Sequence, residues 1–67
     1  MDRITKDVYA SVGNVLYAFI KGIPYSVDLL ETCKIQIQLE FLAGNITLAR
    51  KEYLLDVLDT TIQFLTP

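Results

Sequence analysis

Cys33 is the only thiol in the chain, and histidine is absent. Without imidazole the sequence lacks the commonest general base and the commonest metal ligand. Any reaction chemistry would therefore rest on carboxylates, lysine, tyrosine or Cys33. Reactive cysteines need an electropositive, partly open setting, whereas Cys33 falls beside Ile37 on an apolar stripe and is expected to be a buried structural thiol. Glu52, Asp56 and Asp59 recur at helical spacing, as carboxylate metal ligands would, but no second cluster completes a coordination sphere. They read as a solvated helix face. Asn45-Ile46-Thr47 fits a glycosylation sequon, yet it reads better as a turn followed by a helix cap. The sequence thus predicts no catalytic residue, no metal and no cofactor, and the chain is not expected to be an enzyme.

Residues suited to binding are easier to find. Glu40 and Arg50 flank the Gly44 turn, and an antiparallel hairpin would bring them together as an ion pair. The aliphatic stem of Arg50 would then cover apolar surface. Arg50 and Lys51 also stand near a helix N-terminus, where positive charge opposes the macrodipole; that placement suits the same pair or an anionic group on a partner. Ala10, Gly13, Tyr17 and Lys21 line up along one helix edge. Two small residues beside an aromatic let another helix or a ligand come close, with Tyr17 as anchor. Tyr25 is either a packing plug over the helix ends or part of a binding surface.

These residues need elements to hold them. Two punctuation points divide the chain, GIPYS at 22–26 and AGN at 43–45. Gly22 suits a helix C-cap, Pro24 blocks continuation, and Ser26 suits an N-cap. Gly44 makes the second stop, and Asn45 or Thr47 can cap the third segment. Three segments remain, near 4–21, 26–43 and 46–65. In the first, Ile4, Val8, Val12, Val15, Leu16, Phe19 and Ile20 share a broad face at 100° per residue. In the third, Tyr53, Leu54, Val57, Leu58, Phe64 and Leu65 do the same, flanked by Leu55 and Ile62. The stretch FLAGNITLARKEYL, 41–54, resembles the helix–Gly–x–Ile–Thr–helix turn of many small bacterial helical domains.

The middle segment is ambiguous. From Lys34 to Phe41 apolar and polar residues alternate, which is the strand pattern. A lone strand between two helices, however, would need another subunit to pair its backbone. Leu, Gln, Lys and Glu also favour helix over strand. The strand reading would give a ribbon-type nucleic-acid binder, as in ribbon-helix-helix proteins. Those place two helices after the strand and carry positive charge, whereas here one helix comes after it. As a helix, the segment puts Leu29, Leu30, Cys33, Ile37 and Phe41 on one face and Ile35, Leu39 and Leu42 on a ridge opposite. The second face has no covering element in a three-helix monomer, so it is the expected self-association surface.

Composition agrees. The chain has 67 residues, 52% of them hydrophobic, so excess apolar surface faces a small interior that buries only about 60% of the unfolded area. Six basic against eight acidic residues give a net charge of −2, without the basic patch of a nucleic-acid binder. A single cysteine argues against a disulfide scaffold. The longest apolar run, VLYAFI at 15–20, is far below the roughly 18 residues that span a bilayer. The opening MDRITKDVYASVG mixes acids and bases, so no signal peptide is expected and the cytoplasm is the expected compartment. The sequence therefore predicts an all-α, three-helix, single-domain protein with a C-terminal antiparallel hairpin. It is expected to associate with itself and to dock on another protein as a regulator or inhibitor of bacterial or phage origin. An alternative is a small-ligand-binding homo-oligomer with an inter-subunit pocket near Tyr17, Tyr25 and Lys21 or Arg50.

Overall fold

The computed structural model describes residues 2–67. Three helices succeed one another: α1 (Arg3–Lys21), α2 (Asp28–Leu42) and α3 (Leu48–Leu65), with no strand among the described residues. The ambiguous segment 34–41 is helical throughout.

Each boundary has a local cause. The Asp2 carboxylate caps α1, accepting the Thr5 N–H at 2.8 Å and the Thr5 hydroxyl at 3.0 Å. These bonds, with the backbone one foremost, hold the Asp2 carboxyl below its ordinary pKa. Gly22 takes φ 70°, the left-handed conformation that lets Ile23 N–H return to the Ala18 carbonyl at 2.9 Å and ends the helix. Gly44, at φ 81°, ends α2 in the same manner, with Asn45 N–H bonded to the Glu40 carbonyl at 2.9 Å. Thr47 caps α3 by accepting the Arg50 N–H at 3.1 Å. Helix α2 begins two residues later than the sequence predicts. Ser26 Oγ does accept a backbone N–H, that of Asp28 at 3.1 Å, but helical bonding starts from the Val27 carbonyl.

Contacts fix the topology. Lys34 meets Asp59 and Phe41 meets Lys51, so α2 runs antiparallel to α3. Tyr9 meets Tyr53 at one end and Phe19 meets Phe64 at the other, so α1 and α3 run parallel. The chain goes up, down and up again. Its radius of gyration is 12.1 Å, against about 11 Å for a compact chain of this length. The extra length appears as long, exposed helix flanks.

Val8 and Val15 from α1, Leu30 and Ile37 from α2, and Leu54, Leu58 and Leu65 from α3 form the buried core. Ile4, Val12, Leu16, Leu55, Val57 and Ile62 pack around it, partly buried. Several residues expected on core faces are exposed instead: Phe19, Ile20, Leu29, Tyr53 and Phe64. Three slender helices share one narrow core, so only the centre of each apolar face reaches it and the face margins become walls of surface grooves. Cys33 is likewise half-buried rather than buried. It lines a small cleft between α1 and α2 with Arg3, Ile4, Asp7, Ile37 and Glu40.

Candidate docking surfaces

Helix α2 carries two apolar faces of opposite fate. Leu30 and Ile37 are 0% and 1% exposed, while Ile35, Leu39 and Leu42 are 61%, 55% and 79% exposed. The exposed three are spaced i, i+4, i+7, and Thr32 extends them backward by three. This is the 3-4 spacing of a coiled-coil seam. In that register Ile37 occupies the position opposite the seam, which explains why one helix shows both extremes of burial. Between Ile35 and Leu42 the flanking positions are Gln36 and Gln38, which carry no charge, so no like-charge repulsion guards that part of the seam; Glu31 flanks it only beside Thr32. Burying this ridge in the monomer is impossible, because α1 and α3 both lie on the other side.

A second apolar feature lies between the parallel helices α1 and α3. Leu16, Phe19 and Ile20 from α1 face Thr60, Thr61 and Phe64 from α3 across an open groove of about 440 Å³. Phe19 and Phe64 meet edge to face at 5.6 Å, a favoured aromatic geometry. The Thr61 hydroxyl donates to the Val57 carbonyl at 2.8 Å, so its one donor is already used within the helix. Ile20 and Phe64 are 77% and 66% exposed. Nearer the start of α1, the same two helices are tied by a hydrogen bond between the Tyr9 and Tyr53 hydroxyls. That bond pushes the Tyr9 phenol above its ordinary pKa.

The edge formed by Ala10, Gly13, Tyr17 and Lys21 is exposed along its whole length. Lys21 Nζ sits 5.8 Å from the Tyr17 ring centre. A Cβ added to Gly13 would meet nothing within 4 Å. Tyr25 has different partners. Its ring meets Phe19 edge-on at 6.1 Å and its hydroxyl donates to the Leu65 carbonyl at 3.4 Å, so it ties the α1–α2 connection to the end of α3.

The Glu40–Arg50 ion pair expected from the sequence is not formed. Glu40 instead faces Arg3 at 3.8 Å, because the N-terminus of α1 lies against the C-terminal half of α2. Arg50 lies over the Tyr53 ring at 5.8 Å, and Lys51 lies over Phe41 at 4.6 Å. Aromatic faces thus supply the negative potential that the first turn of α3 lacks. The shortest ion pair, Lys34–Asp59 at 2.6 Å, bridges α2 and α3, and this hydrogen bond raises the Lys34 pKa.

Among the described residues there is no cluster of three His, Cys, Asp or Glu that could hold a metal ion. No helix there is long and apolar enough to cross a membrane. The chain matches no protein-family model, no curated protein and no solved structure.

Proposed function

We propose that this chain is a self-associating protein-interaction module that works by docking, with the outer ridge of α2 as its contact surface. The observation that carries this reading is the exposure of Ile35, Leu39 and Leu42 on a helix that buries Leu30 and Ile37 on its opposite side. Contiguous apolar surface of this kind marks an interaction site. Self-association also supplies what a chain of this length lacks, which is enough burial for ample stability.

Magnitudes set the expected strength. Covering the ridge removes about two side chains' worth of apolar surface, roughly 3–6 kcal/mol, and about twice that once the receiving surface is counted. Association costs about 4–15 kcal/mol in lost freedom. The two are of similar size, so the assembly is reversible, with dissociation in the micromolar range or weaker. Sedimentation equilibrium over a wide concentration range tests this. The wild type should pass from monomer to larger species as concentration rises, and Leu39→Glu should stay monomeric while keeping its helical circular dichroism. A wild type that remains monomeric to millimolar concentration would end the self-association reading.

A further inference from the structure

We infer that the α2 ridge of one copy seats in the α1/α3 groove of the next, so that copies add head to tail rather than closing as a two-fold pair. This rests on the self-association reading and names the surface that receives the ridge.

Spacing is the first support. On α1, Gly13, Leu16 and Ile20 succeed one another at intervals of three and then four residues. An α2 helix laid antiparallel to α1 presents Leu42, Leu39 and Ile35, also at intervals of three and then four. Both spans are seven residues, about 10.5 Å along a helix. In that register Leu42, the most exposed of the ridge, faces Gly13, where the surface is open. Leu39 and Ile35 then face Leu16 and Ile20, which wall the groove.

Charge and dipole give the second support. Helices α1 and α3 run parallel, so their aligned macrodipoles favour an incoming helix of opposite direction. Its N-terminal turn would arrive at the C-terminal end of α1, where Lys21 is exposed. The first turn of α2 contains Asp28 and Glu31, both exposed. Both are opposite in charge to Lys21, and in this register Glu31 falls about 4.5 Å beyond it along the axis of α1; Lys34, which stands level with Lys21, is already paired with Asp59. A small ligand fits the groove less well. Ligand sites cover most of their ligand's surface, and a small molecule would leave the walls at Ile20 and Phe64 in water.

Geometry then decides the mode of assembly. On α1, Ile4 and Asp7 line the cleft towards α2. Leu16 lies nine residues beyond Asp7, half a turn away at 100° per residue, and Ile20 lies beside it. The groove therefore opens on the side of the molecule away from α2, and the ridge points outward from α2. Two copies cannot satisfy both surfaces at once. Such heterologous contacts build rings or filaments.

Complementation between two variants tests this. Leu39→Glu spoils the ridge and leaves the groove; Ile20→Glu spoils the groove and leaves the ridge. Both residues are exposed, so circular dichroism should show both variants folded. Each alone should sediment as a monomer at concentrations where the wild type assembles. An equimolar mixture should give a species of two chains and nothing larger, since only one intact ridge and one intact groove can meet. Gly13→Leu, which fills the notch without adding charge, should behave as a groove variant. If Ile20→Glu and Gly13→Leu assemble like the wild type while Leu39→Glu does not, ridges pair with ridges; the inference falls and the self-association reading survives. A mixture that stays monomeric also overturns it. A wild type that never assembles sinks both together.

Discussion

Truncating Ile37 and Leu39 to alanine compares two apolar side chains two residues apart on one helix. Ile37 is 1% exposed and packs with Leu30, Leu54 and Leu58 in the core. Large-to-alanine changes at such sites cost about 2–5 kcal/mol, with a cavity contribution added to the lost transfer energy. A chain of 67 residues has a total stability of only about 3–10 kcal/mol. At about 4–8 °C per kcal/mol for a small domain, a loss of about 3 kcal/mol would lower Tm by about 12–24 °C. Leu39 is 55% exposed, and a surface change of this kind stays within about 0.5 kcal/mol. The assay is thermal denaturation followed by far-UV circular dichroism, at concentrations below those that support assembly, because oligomer formation would stabilise the wild type and Ile37→Ala, whose ridge is intact, by mass action. Ile37→Ala should melt far below the wild type and Leu39→Ala within a few degrees of it. Comparable losses in the dilute monomer would refute the two-faced account of α2. At high concentration the gap between the two should narrow, with Leu39→Ala now losing the stabilisation that assembly confers on the wild type.

Caps and ionisable pairs supply two further expected outcomes. Thr47→Ala removes the side-chain acceptor for Arg50 N–H and should cost about 1 kcal/mol, whereas Thr47→Ser should cost little; equal losses would mean that the hydroxyl is not the capping group. The Lys34 and Tyr9 pKa values are both raised, by hydrogen bonds to Asp59 and Tyr53 respectively. A raised folded-state pKa stabilises below the unfolded value, about 10.4 for lysine and about 10 for tyrosine, and that stabilisation is lost as pH rises through the folded one. Stability should therefore fall on the alkaline side of about pH 10, and Tyr53→Phe combined with Asp59→Asn should flatten that fall; an unchanged alkaline limb would count against both pairs.

The number of helices is readable from the sequence because its signals are local. Gly22 and Gly44 sit where the backbone must turn left-handed, and Thr47 caps its helix through a hydrogen bond to a residue only three positions on. Depth is not readable in the same way. A helical wheel gives the direction in which Phe19, Ile20, Leu29 and Phe64 point, but not how far a shared core extends, and these four lie at its margins. Partners distant in sequence escape for a related reason. Local reasoning assigns Glu40 to Arg50 across the nearest turn, yet Glu40 meets Arg3 because α1 lies beside α2. The Tyr9–Tyr53 bond spans 44 positions and depends on α1 and α3 being parallel, which no local pattern reports. The α1/α3 groove is hidden by the same parallel packing, since its apolar walls all read as core.

The ridge is legible because it violates the monomer's own pattern. Among the described residues the core holds seven buried apolar side chains, and the ridge exposes the equivalent of about two more, each a gain of about 1.5–3 kcal/mol when buried. In a domain whose net stability is only several kcal/mol, that surface is large relative to what holds the fold together. Helix propensity does not explain it, since Lys, Glu or Gln would serve an exposed position of α2 as well as Leu. Gly13 poses the complementary problem on α1: it costs about 1 kcal/mol relative to alanine mid-helix, although a Cβ there would clash with nothing. An unfavourable glycine on one face and unfavourable leucines on another have a common explanation if one receives the other. Folding and assembly are then linked in this protein, and its stability is a property of concentration as much as of the single chain.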